Sequence, residues 1–372
     1  VTRPAHIALV VNDLNGYGAQ RVAVDVSGAL ARAGRRVTLV TLEEPRTREL
    51  TPPAGVHRVA LQRSGRGPLS YVLTSRQLRG AMRQIRPDAV IANMTFSNLV
   101  CLLGVPRGTP VVAVEHNVLS RNLTIERSPR SIALLVRVLY PRARAVVGVS
   151  DDVVEDLVTK HGVARRRARR IYNPLPRSSD DLAGAGTAIE DAVPHPWLEQ
   201  GGPGLRMVLV GGLRRAKGHR VALEALAQLR KVSEGWKLIC IGDGPLRDEL
   251  AQLTRELGVD EHVAFVGHVE DPRRWMASAD VVLVPSLWEG FGLVAVEAAT
   301  VGTTVVASDA TGLRELVPRY VRGLRAPVGS AGALASALER LAAGELPHEP
   351  TEGLEEFEPD HVAQRYLATL EE

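Results

Sequence analysis

The feature that most constrains this chain is a repeated order of apolar run, glycine-bearing turn and amphipathic stretch, which lapses once and then resumes. HIALVV at residues 6–11 reads as a buried strand, because a short unbroken apolar run suits a strand covered on both faces. A turn carrying Asn15, Gly16 and Gly18 follows, then a helix to about Gly34 in which Val22, Val26, Ala29, Leu30 and Ala33 share one face. Gly34 is a natural helix stop, and RRVTLVT (35–41) is the next strand. AVIAN (89–93), PVVAVEH (110–116) and ARAVVGVS (143–150) continue the series, with RRIYN (169–173) a further candidate. This order predicts an α/β fold with doubly wound parallel sheets.

The lapse covers residues 174–204, where Pro174, Pro176, Pro194, Pro196 and Pro203 stand among glycines with no sustained period. The order then resumes with RMVLVGG (206–212), WKLICIGDG (236–244), HVAFVGH (262–268), ADVVLVPS (279–286), a helix from about 292, and TTVVASD (303–309). A length of 372 residues suits two cores rather than one. The expected organisation is a Rossmann-like half at 1–178, a Pro/Gly-rich linker at 179–204, a second Rossmann-like half at 205–355, and a closing helix at 356–372.

Charge separates the halves. Residues 1–180 hold 28 Lys and Arg against 13 Asp and Glu, a balance of +15, and residues 181–372 hold 18 against 29, a balance of −11, which together give the net +4. A basic half joined to an acidic half suggests that the first faces something anionic, although an arginine-rich genome would leave the same trace. Cys101 and Cys240 each lie in an apolar run without metal-ligand or disulfide spacing, as in a reduced, cytoplasmic protein. HIALVV is too short for a signal core, and the uncharged run at 89–106 is interrupted by Asn93, Thr95, Ser97 and Asn98. Aromatic residues make up 4% of the chain and no basic stripe is interleaved with them, which weighs against nucleic acid.

In an open parallel sheet, ligands bind beyond the carboxyl ends of the strands, and four predicted strand ends carry informative residues. The run at 206–212 leads into GGLRRAKGH with Lys217, 237–241 ends in GDG, 263–266 in GHV, and 281–285 leads through Ser286 to WEGFGLVAVEA. In the last stretch Glu289 and Glu297 stand eight residues apart. Gly290 and Gly292 permit close backbone approach. A helix starting near Gly292 would aim the free amides of Leu293, Val294 and their neighbours outward, an anion site suited to a diphosphate. Two carboxylates flanking it could accept paired hydroxyl hydrogen bonds at either end of a sugar–diphosphate–ribose ligand. Singly, each glutamate reads as surface charge; the pair in this glycine setting reads as a site.

The stretch resembles the E-x7-E signature of retaining glycosyltransferase family 4, whose GT-B fold sets two Rossmann-like domains across a cleft. NGYGAQRVAVDVSGALARAG, VGVSDDV, IYNPLP, IGDGPLRDEL, VGHV, ADVVLVPS, EGFGLVAVEA and TTVVASDATGLREL resemble family blocks in order, over nearly the whole chain. The resemblance implies that Glu289 holds donor-sugar hydroxyls, that Glu297 binds the nucleotide ribose, and that the amides of Phe291, Gly292, Leu293 and Val294 surround sugar and pyrophosphate. By the same resemblance Lys217 neutralises the leaving diphosphate, Val269 lies beside the base, Gly18 belongs to the N-terminal loop that closes on the phosphate, and His116 lies over the donor sugar. The closing helix is similar to one that crosses back onto the N-terminal domain.

One departure stands out. The family pattern is G-R-x4-K-G, and Gly212 occupies the arginine's place. Arg215, or failing that Arg214, is expected to supply the missing charge. The reaction implied is metal-independent transfer from a nucleoside-diphosphate sugar, UDP-linked by preference, with retention at the anomeric carbon. No Asp-x-Asp is present and no cofactor is expected. Expected acceptors are a lipid-linked glycan, a cell-surface polysaccharide precursor or a natural product. The same donor site without an acceptor would serve a sugar-nucleotide epimerase, and Gly212 would suit a non-catalytic nucleotide-sugar-binding relative. Arg121, Arg127, Arg130, Arg137, Arg142 and Arg144 surround SIALLVRVLY, and RRRARR follows at 165–170. Such a surface suits peripheral attachment to the inner face of an anionic membrane, although SIALLVRVLY would also serve as an internal helix. Glu115 reads as structural or acceptor-facing, and Asp151 and Asp152 as helix-start residues behind Ser150.

Overall fold

The computed structural model describes residues 4–15, 18–44, 49–63, 65, 67–124, 128–175, 195–199, 204–345 and 347–371. Contacts divide the chain into two units, Val1–Arg177 with Glu355–Glu372, and Ser178–Leu354. The first holds strands β1 (His6–Val11), β2 (Arg36–Thr41), β3 (Val56–Ala60), β4 (Ala89–Asn93), β5 (Val111–Glu115), β6 (Ala145–Gly148) and β7 (Ala168–Arg170). They form one parallel sheet in the order β3-β2-β1-β4-β5-β6-β7. The second holds β8 (Arg206–Val210), β9 (Lys237–Ile241), β10 (Val263–Gly267), β11 (Val281–Val284), β12 (Thr304–Ser308) and β13 (Gly323–Ala326), parallel in the order β10-β9-β8-β11-β12-β13.

Central strands are buried throughout. Every residue of β1, β4, β5 and β12 is buried, as suits runs made chiefly of apolar residues. Edge strands are different: β3 sets the adjacent His57 and Arg58 between two valines and is half exposed, and β13 is only four residues long. Neither shows in the sequence as a buried run. Strand ends are also shorter than the apolar runs suggest. The run at 143–150 yields β6 only to Gly148, because Ser150 caps the helix Asp151–His161 by accepting from the Val153 amide at 3.4 Å.

The chain's last elements belong to the first unit. Helix Pro359–Glu371 packs on helix Gly18–Arg32, joined by an Arg32–Asp360 ion pair at 2.6 Å. Phe357 is fully buried and stacks on Tyr172 with centroids 5.2 Å apart, while the Leu175 amide donates to the Phe357 carbonyl at 2.8 Å. The expected linker at 179–204 is described only at 195–199 and 204, the rest lying outside the described residues. Its described part is not featureless. Pro196–Glu199 forms a helical turn whose Leu198 is buried against Val208, Ile239 and Ile241.

Both sheets reverse their strand order once, between β1 and β4 and between β8 and β11. Such reversals open a crevice at the carboxyl ends of the two neighbouring strands.

Glycines allow close packing at defined places. A Cβ on Gly148 would stand 2.8 Å from both the amide nitrogen and Cγ2 of Val154, in the helix that covers β6. Gly80, inside helix Pro68–Ile85, has open space around it. Gly148→Ala is therefore expected to destabilise the first unit by about 1–3 kcal/mol through overpacking. Gly80→Ala is expected to leave stability unchanged or raise it by about 0.5–1 kcal/mol through helix propensity. Urea denaturation of the two variants separates the effects.

Candidate functional site

A cluster of hydrogen-bonded polar groups in the second unit lies at its reversal point. The loop after β8 folds into a 3-10 turn, Arg215–Lys217, followed by Gly218 with φ 70°. A Cβ on Gly218 would lie 1.9 Å from the Pro285 carbonyl, so only glycine lets this loop meet the end of β11. The Leu287 amide donates to the Ala216 carbonyl at 2.8 Å and ties the two loops together. Lys217 is thereby placed facing Glu289, and its Nζ donates to Oε2 at 2.9 Å and Oε1 at 3.1 Å.

Glu289 is held on all sides. The Ser286 hydroxyl donates to Oε2 at 3.1 Å. The Thr311 hydroxyl donates to the Glu289 carbonyl and lies 3.4 Å from its amide. The Ser308 hydroxyl donates in turn to the Ser286 carbonyl. These hydroxyls come from the ends of β11 and β12, and sequence reading had singled out neither Thr311 nor Ser308. A Cβ on Gly312 would meet the Phe291 carbonyl at 2.3 Å, and one on Gly292 would meet Leu313 Cδ2 at 2.5 Å. The two glycine-bearing loops thus interlock. Gly292, with φ 104°, starts the helix Leu293–Thr300, so the first amides of that helix open beside Glu289.

A shallow depression is lined by Lys217, Ser286, Glu289, Gly292 and Val294 among others. Phe291 is buried and Leu293 is half buried at the helix start. Glu297 lies one turn further along the helix, half buried and away from the depression's lining. Val269 follows β10 and packs, partly buried, against the cluster of Leu198, Val208, Ile239 and Ile241. Gly212 ends the β8 run, and the Nε of Arg214 lies 3.9 Å from where its Cβ would be. Arg215 is exposed. Next to Lys217, His219 is buried, and burial together with the Lys217 charge lowers its pKa to about 4.

The first unit has its own polar cluster at strand ends. Glu115, at the end of β5, is 1% exposed; it accepts from Tyr140, from Asn98 at 3.1 Å and from Thr95 at 3.0 Å. It is an interior residue. Burial raises its pKa from 4.5 to about 7 against the pull of those hydrogen bonds. His116 is also buried, its Nε2 3.1 Å from Asn93 Oδ1, and burial lowers its pKa to about 4, so it is neutral at pH 7. Gly18 is the first residue of helix Gly18–Arg32, with open space where a Cβ would stand. Of the arginines around SIALLVRVLY, Arg121, Arg130, Arg137, Arg142 and Arg144 are exposed and Arg127 lies outside the described residues.

Comparison with known proteins follows the same division. Residues 17–178 match the family described as Glycosyltransferase Family 4, and residues 204–343 the family described as Glycosyl transferases group 1. The chain is 29% identical over 210 residues to the N-acetylgalactosamine-N,N'-diacetylbacillosaminyl-diphospho-undecaprenol 4-alpha-N-acetylgalactosaminyltransferase of Campylobacter jejuni, covering 56% of this chain and 53% of that one. It thus spans about half the length of that relative. A second C. jejuni protein is similar over 98% of both chains at 25% identity: the GalNAc-alpha-(1->4)-GalNAc-alpha-(1->3)-diNAcBac-PP-undecaprenol alpha-1,4-N-acetyl-D-galactosaminyltransferase. Among solved structures, Anabaena HepE in complex with UDP and glucose superposes with a TM-score of 0.71 at 20% identity, covering 98% of this chain and 99% of that one. That likeness shows the fold, the two-sheet GT-B architecture.

The state of Glu115 has a consequence for stability. Between its ordinary value of 4.5 and about 7, the folded chain keeps a proton that the unfolded chain has already released. Its contribution to stability therefore falls as pH rises through that window and levels off above it. Glu115→Gln is expected to flatten this part of the pH–stability curve. Thermal melts from pH 4.5 to 8 provide the check, and an unchanged slope in the variant would contradict the assignment.

Proposed function

Because the chain belongs to the glycosyltransferases of family 4, we propose that it moves a sugar from a nucleoside-diphosphate sugar, UDP-linked by preference, to a lipid-linked or other glycosyl acceptor. The observation that carries this reading is the facing pair of Lys217 and Glu289 at the reversal point of the second sheet, beside the open amides of helix Leu293–Thr300. A cation and a helix N-terminus suit a diphosphate, and a clamped carboxylate suits the hydroxyls of the sugar attached to it. The UDP and glucose bound by HepE support the donor class. The undecaprenol-linked acceptors in the names of the C. jejuni relatives support the acceptor class.

In this reading Glu289 orients the donor sugar and Glu297 takes the ribose hydroxyls. The amides of Phe291, Gly292, Leu293 and Val294 hold the pyrophosphate and Val269 borders the base, while Gly18 and His116 keep the donor roles that the family resemblance implies. The bond from the anomeric carbon to the phosphate oxygen breaks and one to the acceptor oxygen forms on the same face. The acceptor's proton passes to the departing phosphate. Negative charge grows on that phosphate, and Lys217, an arginine of the 214–215 pair and the helix amides stabilise it without a metal ion. Before the donor arrives, Lys217 is neutralised by Glu289, so ligand binding must divide this pair between phosphate and sugar. A non-catalytic, donor-binding relative is the second reading, and Gly212 is what favours it.

The acceptor reading extends to a surface. Helix Pro129–Leu139 buries Ile132, Val136 and Leu139 but leaves Leu134 62% and Val138 53% exposed beside exposed Arg130 and Arg137. Among the described residues no helix is long and apolar enough to cross a membrane. Apolar side chains ringed by cations suit peripheral seating on anionic lipid.

Two measurements test these points. Thermal shift with UDP, GDP, ADP and dTDP, with and without chelator, should give stabilisation by one nucleotide that is indifferent to chelation and lost in Glu297→Ala. Turnover should then accompany binding, and binding without turnover over a panel of lipid-linked acceptors would move the second reading forward. In flotation assays, Leu134→Ser/Val138→Ser should reduce recovery with phosphatidylglycerol vesicles. Equal recovery of wild type on neutral and anionic vesicles would sink the membrane reading.

A further inference from the structure

Three strands of the first unit end in buried polar side chains. Asn93 closes β4, His116 follows β5 and Asn173 follows β7, at 2%, 6% and 7% exposure. His116 Nε2 stands 3.1 Å from Asn93 Oδ1. Burial lowers the ring's pKa to about 4, against the pull of Asn173, which favours the charged form. At pH 7 the ring is therefore neutral and has one proton for its two nitrogens. A bare Nε2 facing the Asn93 oxygen would set lone pair against lone pair, so this contact selects the tautomer protonated at Nε2. His116 Nδ1, Asn173 Oδ1 and Asn93 Nδ2 are then left without a hydrogen-bond partner. A charged ring could also donate to Asn173, and burial prevents that state.

The backbone holds Asn93 in place at some cost. The next residue, Met94, has φ 73° and ψ 150°, a conformation nearly confined to glycine. Strain of this kind persists only where its surroundings over-determine it. Here the Met94 amide donates to the Val114 carbonyl in β5 at 2.9 Å, and the Met94 carbonyl accepts from the Asn98 amide at 2.9 Å. Asn98 Nδ2 also donates to the Val114 carbonyl at 2.9 Å, and the Ser97 hydroxyl donates to Asn12 Oδ1, just past β1, at 2.6 Å. The first turn of helix Thr95–Gly104 is thus fastened to β5 and to the end of β1, and Asn93 is fixed immediately before it.

We propose that Asn93 is a positioning residue for His116: its oxygen takes the Nε2 proton, orients the ring and keeps Nδ1 as a lone-pair acceptor. In the donor reading given above, on which this consequence rests, His116 meets a sugar hydroxyl by accepting its hydrogen bond rather than by donating one.

The test begins without any ligand. Long-range proton–nitrogen correlation spectra of protein carrying isotope-labelled histidine distinguish the two tautomers, and His116→Gln identifies the ring's signals. Wild type at pH 7 should show His116 protonated at Nε2 alone. Asn93→Ala should lose this single tautomer, Asn93→Asp should keep Nε2 protonated and move the ring's titration upward, and Asn173→Ala should leave the tautomer unchanged. Over the panel of lipid-linked acceptors, Asn93→Ala should lower turnover by about 10-fold, as for one lost hydrogen bond. Its affinity for UDP, GDP, ADP or dTDP should change by less than about 3-fold. Adding Asn93→Ala to His116→Gln should cost nothing further, because the asparagine acts through the histidine. A wild-type ring protonated at Nδ1, as an Asn93 amide turned the other way would require, overturns the proposal. So does an unchanged tautomer in Asn93→Ala, or an additive loss in the double variant. Wild-type protein that neither binds the nucleotides nor turns over would remove the donor reading instead, and the spectra would still decide the role of Asn93.

Discussion

The contact on which the second unit's site depends is the approach of the β8 loop to the end of β11. Gly218 comes so near the Pro285 carbonyl that no other residue could stand there. That approach brings Lys217, seventy-two positions away in sequence, within hydrogen-bond distance of Glu289. Everything else in the cluster serves the same meeting. Ser286 and Thr311 hold the carboxylate and its backbone, and the interlock of Gly312 with Phe291 and of Gly292 with Leu313 fixes where the helix Leu293–Thr300 begins. Preorganisation of this kind matters because a charged group that must first find its position loses part of its effect.

The polar cluster of the first unit is built on another principle. There Glu115 is removed from water and surrounded by hydroxyl and amide donors, and its proton is retained near neutrality because burial outweighs them. His116, one residue on, is neutral for the same reason. A neutral imidazole and a carboxyl that keeps part of its proton near neutrality lower the net charge at this strand end. The contrast with the ion pair beside Gly292 is chemical: one cluster offers hydrogen bonds, the other offers charge.

Sequence alone made the central strands legible, because residues covered on both faces must be apolar in an unbroken run. It made β3 and β13 illegible for the converse reason. An edge strand such as VHRVA is half exposed, so its arginine and histidine hide it. The reversal points follow from strand order, which no local pattern encodes. Within the site, Glu289, Lys217 and Gly292 were visible from glycine spacing and charge. Thr311 was not, since a hydroxyl that clamps a backbone twenty-two residues away leaves no periodic trace.

The Lys217–Glu289 pair also bears on how such a site can exist before its ligand arrives. An unpaired lysine and an unpaired carboxylate on partly buried walls would each carry a desolvation cost. Facing one another, at 29% and 16% side-chain exposure, they offset it while remaining reachable by water. The carboxylate then stands in for an anion, and the ammonium for the hydroxyl donors of a sugar. A ligand that carries both, phosphate at one end and hydroxyls at the other, can replace the two partners in one binding event. A bare phosphate can replace only one, and would leave Glu289 with Ser286 as its remaining side-chain donor. In the donor reading proposed above, a linked ligand is therefore favoured over either half alone, through the cost of separating the pair rather than through any added contact.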